Sequence, residues 1–480
     1  MVKSSYWEVY LTNTDKTCSM LHSFFKTCAF AYFMILLIRP AYSQDLWNIR
    51  QLTFKPQNHE LDHNQNFSPD DQWIVYDTRP DPAGIALNDR IEKVHVENGE
   101  SQIIYQVASS NPYGPGVGAV SYHPYHNQVV FIHGLPLSDE DTPYAGHRRL
   151  GMIVDESAGN RSYWMDSRDV SAPFTPGALR GGTHRHQWSG DGDWLGFTYN
   201  DALMVALQEK TGKVHDLRTV GVSKKRAPVI EVDMDQPGEN IQGSWFSVVL
   251  VKVVAAPKPG SDEISRAYSD WWVGKNGYQR EDGSWQLSRA FLGDLLNGDG
   301  KKLTEVFIVD VPEDIHKAGN YGPLEGTLTT MPMPPKDARW RRLTFTENRK
   351  YPGVSPEPRH WVSSSMDGTY VSYLAKDDRG IVQVFLVPSL GGNSIQVSFH
   401  DSHVQSMVSW HPEIREFAYV CDNAIYLNRL DEQGSPGLPR RISPGFVSAP
   451  YALAYSRNGN RLAFNKKIEG FIQVFLAERP

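Results

Sequence analysis

The sequence has few cysteines. There are three in 480 residues, and Cys18 and Cys28 both lie within the first 43. Once that segment is removed, Cys421 stands alone and no disulfide can form within the remaining chain. Stability must then come from a packed core, for which a hydrophobic content of 40% is ample. Cys421 lies in the strand-like run "EFAYVCDNAIYL", which predicts a buried thiol.

The chain also lacks a basic excess, since its formal net charge is −7. Proteins that bind nucleic acids carry a basic footprint, so we expect no nucleic-acid partner.

The apolar run over residues 28–38 is short for a membrane span. Lys26 precedes this run and a small-x-small site, Ala41 to Ser43, follows it, which predicts a secretory signal cut before Gln44. We therefore expect residues 1–43 to be an N-terminal extension and signal peptide. The mature protein would be periplasmic or secreted, with no stable membrane span after cleavage; an uncleaved anchor is the alternative.

Several catalytic motifs are missing. The chain has no Gly-x-Ser-x-Gly elbow, which argues against a hydrolase domain of the prolyl oligopeptidase kind. It has neither a P-loop nor a dinucleotide-binding fingerprint. Any chemistry must therefore come from a site that these motifs do not describe.

What the chain does contain is a repeated unit. An anchor residue, most often aromatic, is followed by a Ser-Pro-Asp-Gly-like turn and an alternating apolar strand, as in "NFSPDDQWIVYD" and "HQWSGDGDWLGFTY". Asp and Gly supply the side-chain hydrogen bond and the positive φ that a tight hairpin needs. The anchors stand 45 to 66 residues apart, apart from one long gap after Trp188, and they are Phe67, Tyr122, Trp188, Ser364, Trp410 and Tyr455.

Units of this length with four strands each are typical of propeller blades. We predict an all-β, seven-bladed β-propeller over residues 44–480, with an insertion at about 256–300. In the long gap, residues 243–254, 303–312 and 339–345 are the strand candidates of a degenerate blade. The segment "NIRQLTF" near the N-terminus nearly matches "RWRRLTF" at 339–345, so we expect the N-terminal strand to complete the last blade. Six blades, with residues 220–340 as a separate domain, are the alternative.

The repeats resemble the TolB-type, WD40-like propellers. Longer strings, including "APFTPGALRGGTHRHQWSGDG" and "RKYPGVSPEPRHW", are similar to the uncharacterised YidR-like family. That resemblance implies a fold but no activity. The His-rich channel also resembles that of the oligogalacturonide lyases, and this likeness implies a manganese ion held by histidines and a glutamine.

Residues just ahead of the anchors should line the central channel. In equivalent positions of three blades stand His63, His184 and His360, and His403 lies slightly further ahead of its own anchor. Imidazoles that converge there would suit Mn, Zn or Fe, so we predict these four as metal ligands, against the alternative that they are ordinary core or surface residues. His186, two residues after His184, is the candidate base.

Charged and aromatic residues add to this predicted site. Arg180 and Arg359 are candidates for a catalytic role on an acidic sugar, because guanidinium pairs well with carboxylate. The expected ligand-binding residues are Arg149, Glu263, Arg266 and Trp271. The segment "PGSDEISRAYSDWW" predicts a short helix that starts near Ser261, either as a lid over the channel or as an anchor for the insertion.

Two classes of function follow. The first is a binding propeller that takes an oligosaccharide, a peptide or a partner protein in a His-lined channel mouth. The second is a metal-dependent lyase that acts on uronate-containing oligosaccharides. Fold alone does not choose between them.

Overall fold

The structure is a computed structural model that describes residues 46–62, 65–80, 84–225, 230–236 and 238–480. The predicted signal peptide lies outside these residues. The compact unit Leu46–Pro480 contains seven antiparallel sheets that form the blades of a β-propeller, as predicted. No helix in the described part of the chain is long and apolar enough to cross a membrane.

The strands of the first three blades follow the chain. Strand β1 (Asn48–Gln51) precedes blade 1 and belongs to the last blade. Blade 1 contains β2 (Trp73–Asp77), β3 (Arg90–His95) and β4 (Ser101–Gln106). Blade 2 contains β5 (Val117–Tyr122), β6 (Gln128–Gly134), β7 (Arg149–Asp155) and β8 (Arg161–Trp164), with a 3-10 turn at Glu156–Ala158. The short strands β9 (Ser167–Arg168) and β10 (Ala178–Leu179) pair in parallel before blade 3. Blade 3 contains β11 (Gly181–Trp188), β12 (Trp194–Asp201), β13 (Thr219–Lys225) and β14 (Trp245–Val249), and helix α1 (Ala202–Thr211) follows β12.

The remaining blades complete the ring. Blade 4 contains β15 (Arg266–Trp272), β18 (Ser288–Leu296), β19 (Lys302–Asp310) and β20 (Arg339–Arg342), and the hairpin of β16 (Tyr278–Gln279) and β17 (Trp285–Gln286) interrupts it. Blade 5 contains β21 (Ser363–Ser364), β22 (Tyr370–Lys376), β23 (Val382–Pro388) and β24 (Ile395–Gln396). Blade 6 contains β25 (Ser409–Trp410), β26 (Glu416–Cys421), β27 (Ala424–Arg429) and β28 (Arg440–Arg441). Blade 7 contains β29 (Tyr451–Tyr455), β30 (Arg461–Ile468) and β31 (Phe471–Glu478).

Strand β1 closes the ring, which confirms the predicted closure. It pairs antiparallel with β31, with Asn48 opposite Glu478. The core lies between the faces of neighbouring blades, and one cluster joins Ile74 and Tyr76 of blade 1 to Val474 of blade 7. Cys421 is buried in a similar layer, as predicted.

The strand assignment in the long gap needs correction. Residues 243–254 contain β14, which is the outer strand of blade 3 and not part of the next blade. Blade 4 begins with β15, so two of its strands, β15 and β18, lie within the predicted insertion at about 256–300. Strand β15 was missed because no tight Ser-Pro-Asp-Gly-like turn follows it: the β16–β17 hairpin separates it from its partner. The six-blade alternative is also wrong, because residues 220–340 supply strands to blades 3 and 4.

In several of the repeated turns, one serine is the acceptor that holds the turn. The backbone N–H of Trp73 donates to Oγ of Ser68 at 3.0 Å, and the same bond joins Trp194 to Ser189. In the turn of blade 2 the acceptor is Nδ1 of His123. It accepts the backbone N–H groups of Tyr125 and His126, each at 3.0 Å. His411 has the same role in blade 6. Both histidines therefore replace the serine within the turn.

A β-bulge recurs on the inner strands. At Ala119, Arg185 and Ala452, each three residues ahead of its anchor, the backbone has a positive φ and the register shifts, and Ser269 on β15 shows the same feature. A bulge inserts one extra residue and so breaks the alternation of faces. His184 and His186 flank the bulge at Arg185, and for this reason they do not share one environment.

Candidate functional site

One mouth of the channel holds a cavity of about 580 Å³, within the size range of small-molecule sites. We call it the arginine pocket, after the six arginines that line it: Arg79, Arg149, Arg185, Arg218, Arg266 and Arg359. The structure brings five of the predicted site residues to it, namely Arg149, His184, Arg266, Arg359 and His360. The inner strands of several blades converge here, which is why residues far apart in sequence meet.

Four of these arginines have no carboxylate partner in the part of the chain that the structure describes. Arg79 pairs with Asp77, and Arg185 pairs with Asp62 at 3.2 Å. Among the described residues, no carboxylate oxygen lies within 4.0 Å of the guanidinium groups of the other four, which are Arg149, Arg218, Arg266 and Arg359. The pocket therefore carries uncompensated positive charge.

This excess charge affects Arg218. Burial lowers its pKa to about 10, and the positive charges of Arg149, Arg266 and Arg359 add to the effect. Like charges that are held together in this way favour an anion in the space between them. The arrangement is therefore suited to an acidic ligand.

His184 lies on β11 and has both ring nitrogens engaged. Its Nε2 is 3.1 Å from Oδ1 of Asn200, and its Nδ1 receives Nε–H of Arg149. Nε2 therefore carries the proton, and Nδ1 is the acceptor. Burial, followed by the charges of Arg149 and Arg218, holds the pKa of His184 well below its ordinary value, so the ring is neutral.

His360 is engaged in the same way, but by the backbone. Its Nδ1 is 2.9 Å from the carbonyl oxygen of Pro358, and its Nε2 accepts the N–H of Leu374 at 3.3 Å. Burial lowers its pKa to about 4.

The described residues do not fit the predicted metal site. A histidine binds a metal through an unprotonated ring nitrogen, and the acceptor nitrogens of His184 and His360 are both already occupied. In the described part of the chain, no three His, Cys, Asp or Glu side chains are grouped so that they could hold an ion. His403 is exposed on the chain between blades 5 and 6, where its Nδ1 accepts the N–H of Val382 at 2.9 Å. His63 lies outside the described residues.

The other predicted residues do not reach the arginine pocket. His186 is fully buried behind the bulge, with Nε2 2.9 Å from Oγ1 of Thr183, and burial lowers its pKa to about 3. Arg180 is fully buried and pairs with Asp201 at 2.6 Å.

The segment near Glu263 forms a loop and not the predicted helix. The carboxylate of Glu263 accepts the N–H of Lys258 at 2.9 Å, and Asp262 pairs with Arg342 at 3.1 Å. These contacts anchor the loop, which was the other interpretation of this segment. Trp271 lines a different and smaller cavity, of about 150 Å³. Residues of the turns at the other end of the inner strands also line that cavity.

A cation and an aromatic ring are in contact in the lining of the arginine pocket. The guanidinium of Arg185 lies 4.0 Å from the ring centre of Trp361 and 5.4 Å from that of Trp271. Arg185 and Trp361, together with Arg79, Arg218 and Asn200, are residues that sequence reasoning missed. A signal existed for the first two, because both stand three places ahead of an anchor in their blades.

Comparisons with known proteins identify a family model, a relative in sequence and solved structures. A family described as "Protein of unknown function (DUF3748)" matches residues 116–239. Over 379 residues the chain is 41% identical to "Uncharacterized protein YidR" of Escherichia coli (strain K12), which covers 78% of this chain and 85% of that protein. The solved structure "Oligogalacturonate lyase in complex with manganese" covers 92% of this chain and 94% of its own at 12% identity, with a TM-score of 0.50. A putative TolB from Agrobacterium tumefaciens covers 82% and 98% at 11% identity, with a TM-score of 0.34. The likeness to the lyase is a likeness of fold.

Proposed function

The chain belongs to the YidR family, as its sequence strings predicted, and from that premise we propose that it is a binding propeller that takes an acidic oligosaccharide in the arginine pocket. The observation that carries the proposal is the group of four arginines in one cavity for which the described residues supply no carboxylate partner. A guanidinium presents a planar pair of donors that matches a carboxylate.

The size and lining of the pocket support an oligosaccharide over a protein surface. A cavity of about 580 Å³ is that of a small-molecule site, whereas protein interfaces are broad and flat. Tyr268 and Trp361 add aromatic surface to the lining. The signal predicted in residues 1–43 supports binding in the periplasm or outside the cell.

A metal-dependent lyase is not part of this proposal. The acceptor nitrogens of both described histidines in the arginine pocket are occupied within the protein, so each would have to give up a hydrogen bond to ligate a metal. The predicted base, His186, lies outside the pocket.

Isothermal titration calorimetry with trigalacturonate tests the proposal, with neutral galactotriose and a glutamate tripeptide as comparison ligands. We expect binding of the acidic trisaccharide and loss of that binding in Arg218→Met, since this change removes a guanidinium that has no described carboxylate oxygen within 4.0 Å. Arg161→Met, on the exposed outer strand of blade 2, is the matched control. Equal binding of the neutral sugar would contradict an acidic ligand, and preference for the peptide would contradict an oligosaccharide.

A further inference from the structure

Three residues that line the arginine pocket, Arg149, His184 and Arg218, form a continuous hydrogen-bonded chain with Asn200. Nε–H of Arg149 donates to Nδ1 of His184, whose Nε2–H donates to Oδ1 of Asn200 at 3.1 Å. Nε–H of Arg218 donates to the same Asn200 oxygen at 2.8 Å. Two arginines from different elements are thus joined through one imidazole and one amide. We call these residues the Arg149–Arg218 relay.

The relay holds each guanidinium by its Nε edge. A guanidinium has five N–H donors, four of them on its two terminal amino groups. One terminal amino group of Arg149 donates to the hydroxyl of Tyr144 at 2.8 Å. Among the described residues, no acceptor contacts the terminal amino groups of Arg218. Donors therefore remain available to a ligand on both side chains.

The partners inside the relay are uncharged, and this has a consequence. A carboxylate in place of His184 or Asn200 would fix the arginines equally well, but it would also cancel their charge. A neutral imidazole and an amide fix the geometry and leave the positive charge for the ligand. Asn200 is fixed in turn, because its Nδ2 donates to Asp216 at 2.8 Å.

We propose that His184 and Asn200 are positioning residues, which hold Arg149 and Arg218 as a paired clamp for one acidic group of the ligand. The proposal rests on the proposed function, because the acidic group belongs to the oligosaccharide. It assigns His184 to orienting an anion-binding arginine and not to ligating a metal.

The first test needs no ligand. Nitrogen-15 NMR of the histidine rings should show His184 as the neutral Nε2–H tautomer at pH 7. Its Nδ1 resonance should move when Arg149→Met removes the donor. A protonated ring, an Nδ1–H tautomer, or an Nδ1 shift that ignores Arg149→Met would overturn the relay.

The second test measures binding of trigalacturonate to relay variants. His184→Ala should weaken binding by roughly tenfold to a hundredfold, the effect of losing a charge-assisted hydrogen bond. Adding Arg149→Met to His184→Ala should cost less than Arg149→Met costs alone, because both changes disable the same clamp. His184→Asn should recover part of the affinity, since its amide oxygen can replace Nδ1 as acceptor. His403→Ala, at an exposed histidine outside the arginine pocket, is the control.

The outcomes separate the two proposals. If the unaltered protein binds the acidic sugar and the relay variants bind it equally well, the clamp is wrong and the proposed function stands. If the unaltered protein fails to bind any acidic sugar, the proposed function is wrong and the clamp has no role. Thermal melting of each variant shows whether a loss of affinity is a loss of folding, and recovery in His184→Asn would support positioning.

Discussion

Replacing Arg180 by Met should destabilise the fold and leave binding in the arginine pocket intact. Both Arg180 and Asp201 have fully buried side chains. The guanidinium also donates to the carbonyl oxygens of Thr327 and Thr330, at 2.5 and 2.8 Å. Asp201 would be left buried with only the Tyr199 hydroxyl and the first N–H groups of α1 as donors. Breaking a buried pair on one side costs about 3–5 kcal/mol, so we expect a loss of that size.

Urea unfolding followed by tryptophan fluorescence measures this loss, and calorimetry with trigalacturonate measures binding. The double variant Arg180→Met/Asp201→Asn should recover part of the stability, because it removes the stranded charge while asparagine still caps α1. Arg161→Met, at an exposed arginine, should change stability by less than about 0.5 kcal/mol. Unchanged stability in Arg180→Met together with lost binding would refute the reasoning, since it would place Arg180 in the arginine pocket.

Three further predictions concern pH, turns and salt. His133 is buried, and burial lowers its pKa to about 4. In the unfolded chain His133 takes up a proton near pH 6.5, whereas in the folded chain it stays neutral down to about pH 4. His133 should therefore make the protein less stable as the pH falls from 6.5 to 4. The urea midpoint of His133→Gln should vary less with pH over this window. His123→Ala should cost about 1–3 kcal/mol by chemical unfolding, because two turn N–H groups lose their acceptor, and an unchanged midpoint would show that the turn does not need it. Affinity for trigalacturonate should fall as sodium chloride rises, since salt screens the arginine charges, and salt-independent binding would contradict an electrostatic site.

Much of the fold could be predicted because the blade signal is local. A serine or histidine acceptor, an acidic or glycine turn and an alternating strand lie within about a dozen residues, and they recur at Ser68, Ser189 and His411. Strand β1 could also be placed, from its likeness to β20. In blade 4, β19 and β20 lie where strands were predicted at 303–312 and 339–345, but β15 and β18 could not be placed, because a hairpin separates them and the local pattern is absent.

The candidate site could be predicted in position more than in chemistry. His184 and His360 were expected at the channel mouth because equivalent positions of different blades converge there. Their hydrogen-bond partners could not be foreseen, since Asn200 comes from the next strand and the carbonyl of Pro358 becomes an acceptor only in the folded backbone. His186 was misplaced because alternation was assumed across Arg185, where the bulge occurs.

The pairing of β1 with β31 has a consequence for the order of events during folding. Arg50 and Glu478 meet at 3.1 Å although 428 positions separate them in the chain. A contact of this sequence separation is slow to form, since a very long loop must close first. Six of the sheets can assemble from neighbouring segments as the polypeptide emerges, whereas the seventh must wait until both of its contributors have been synthesised. A nascent chain therefore remains an open arc with two unprotected edges until its final strand arrives.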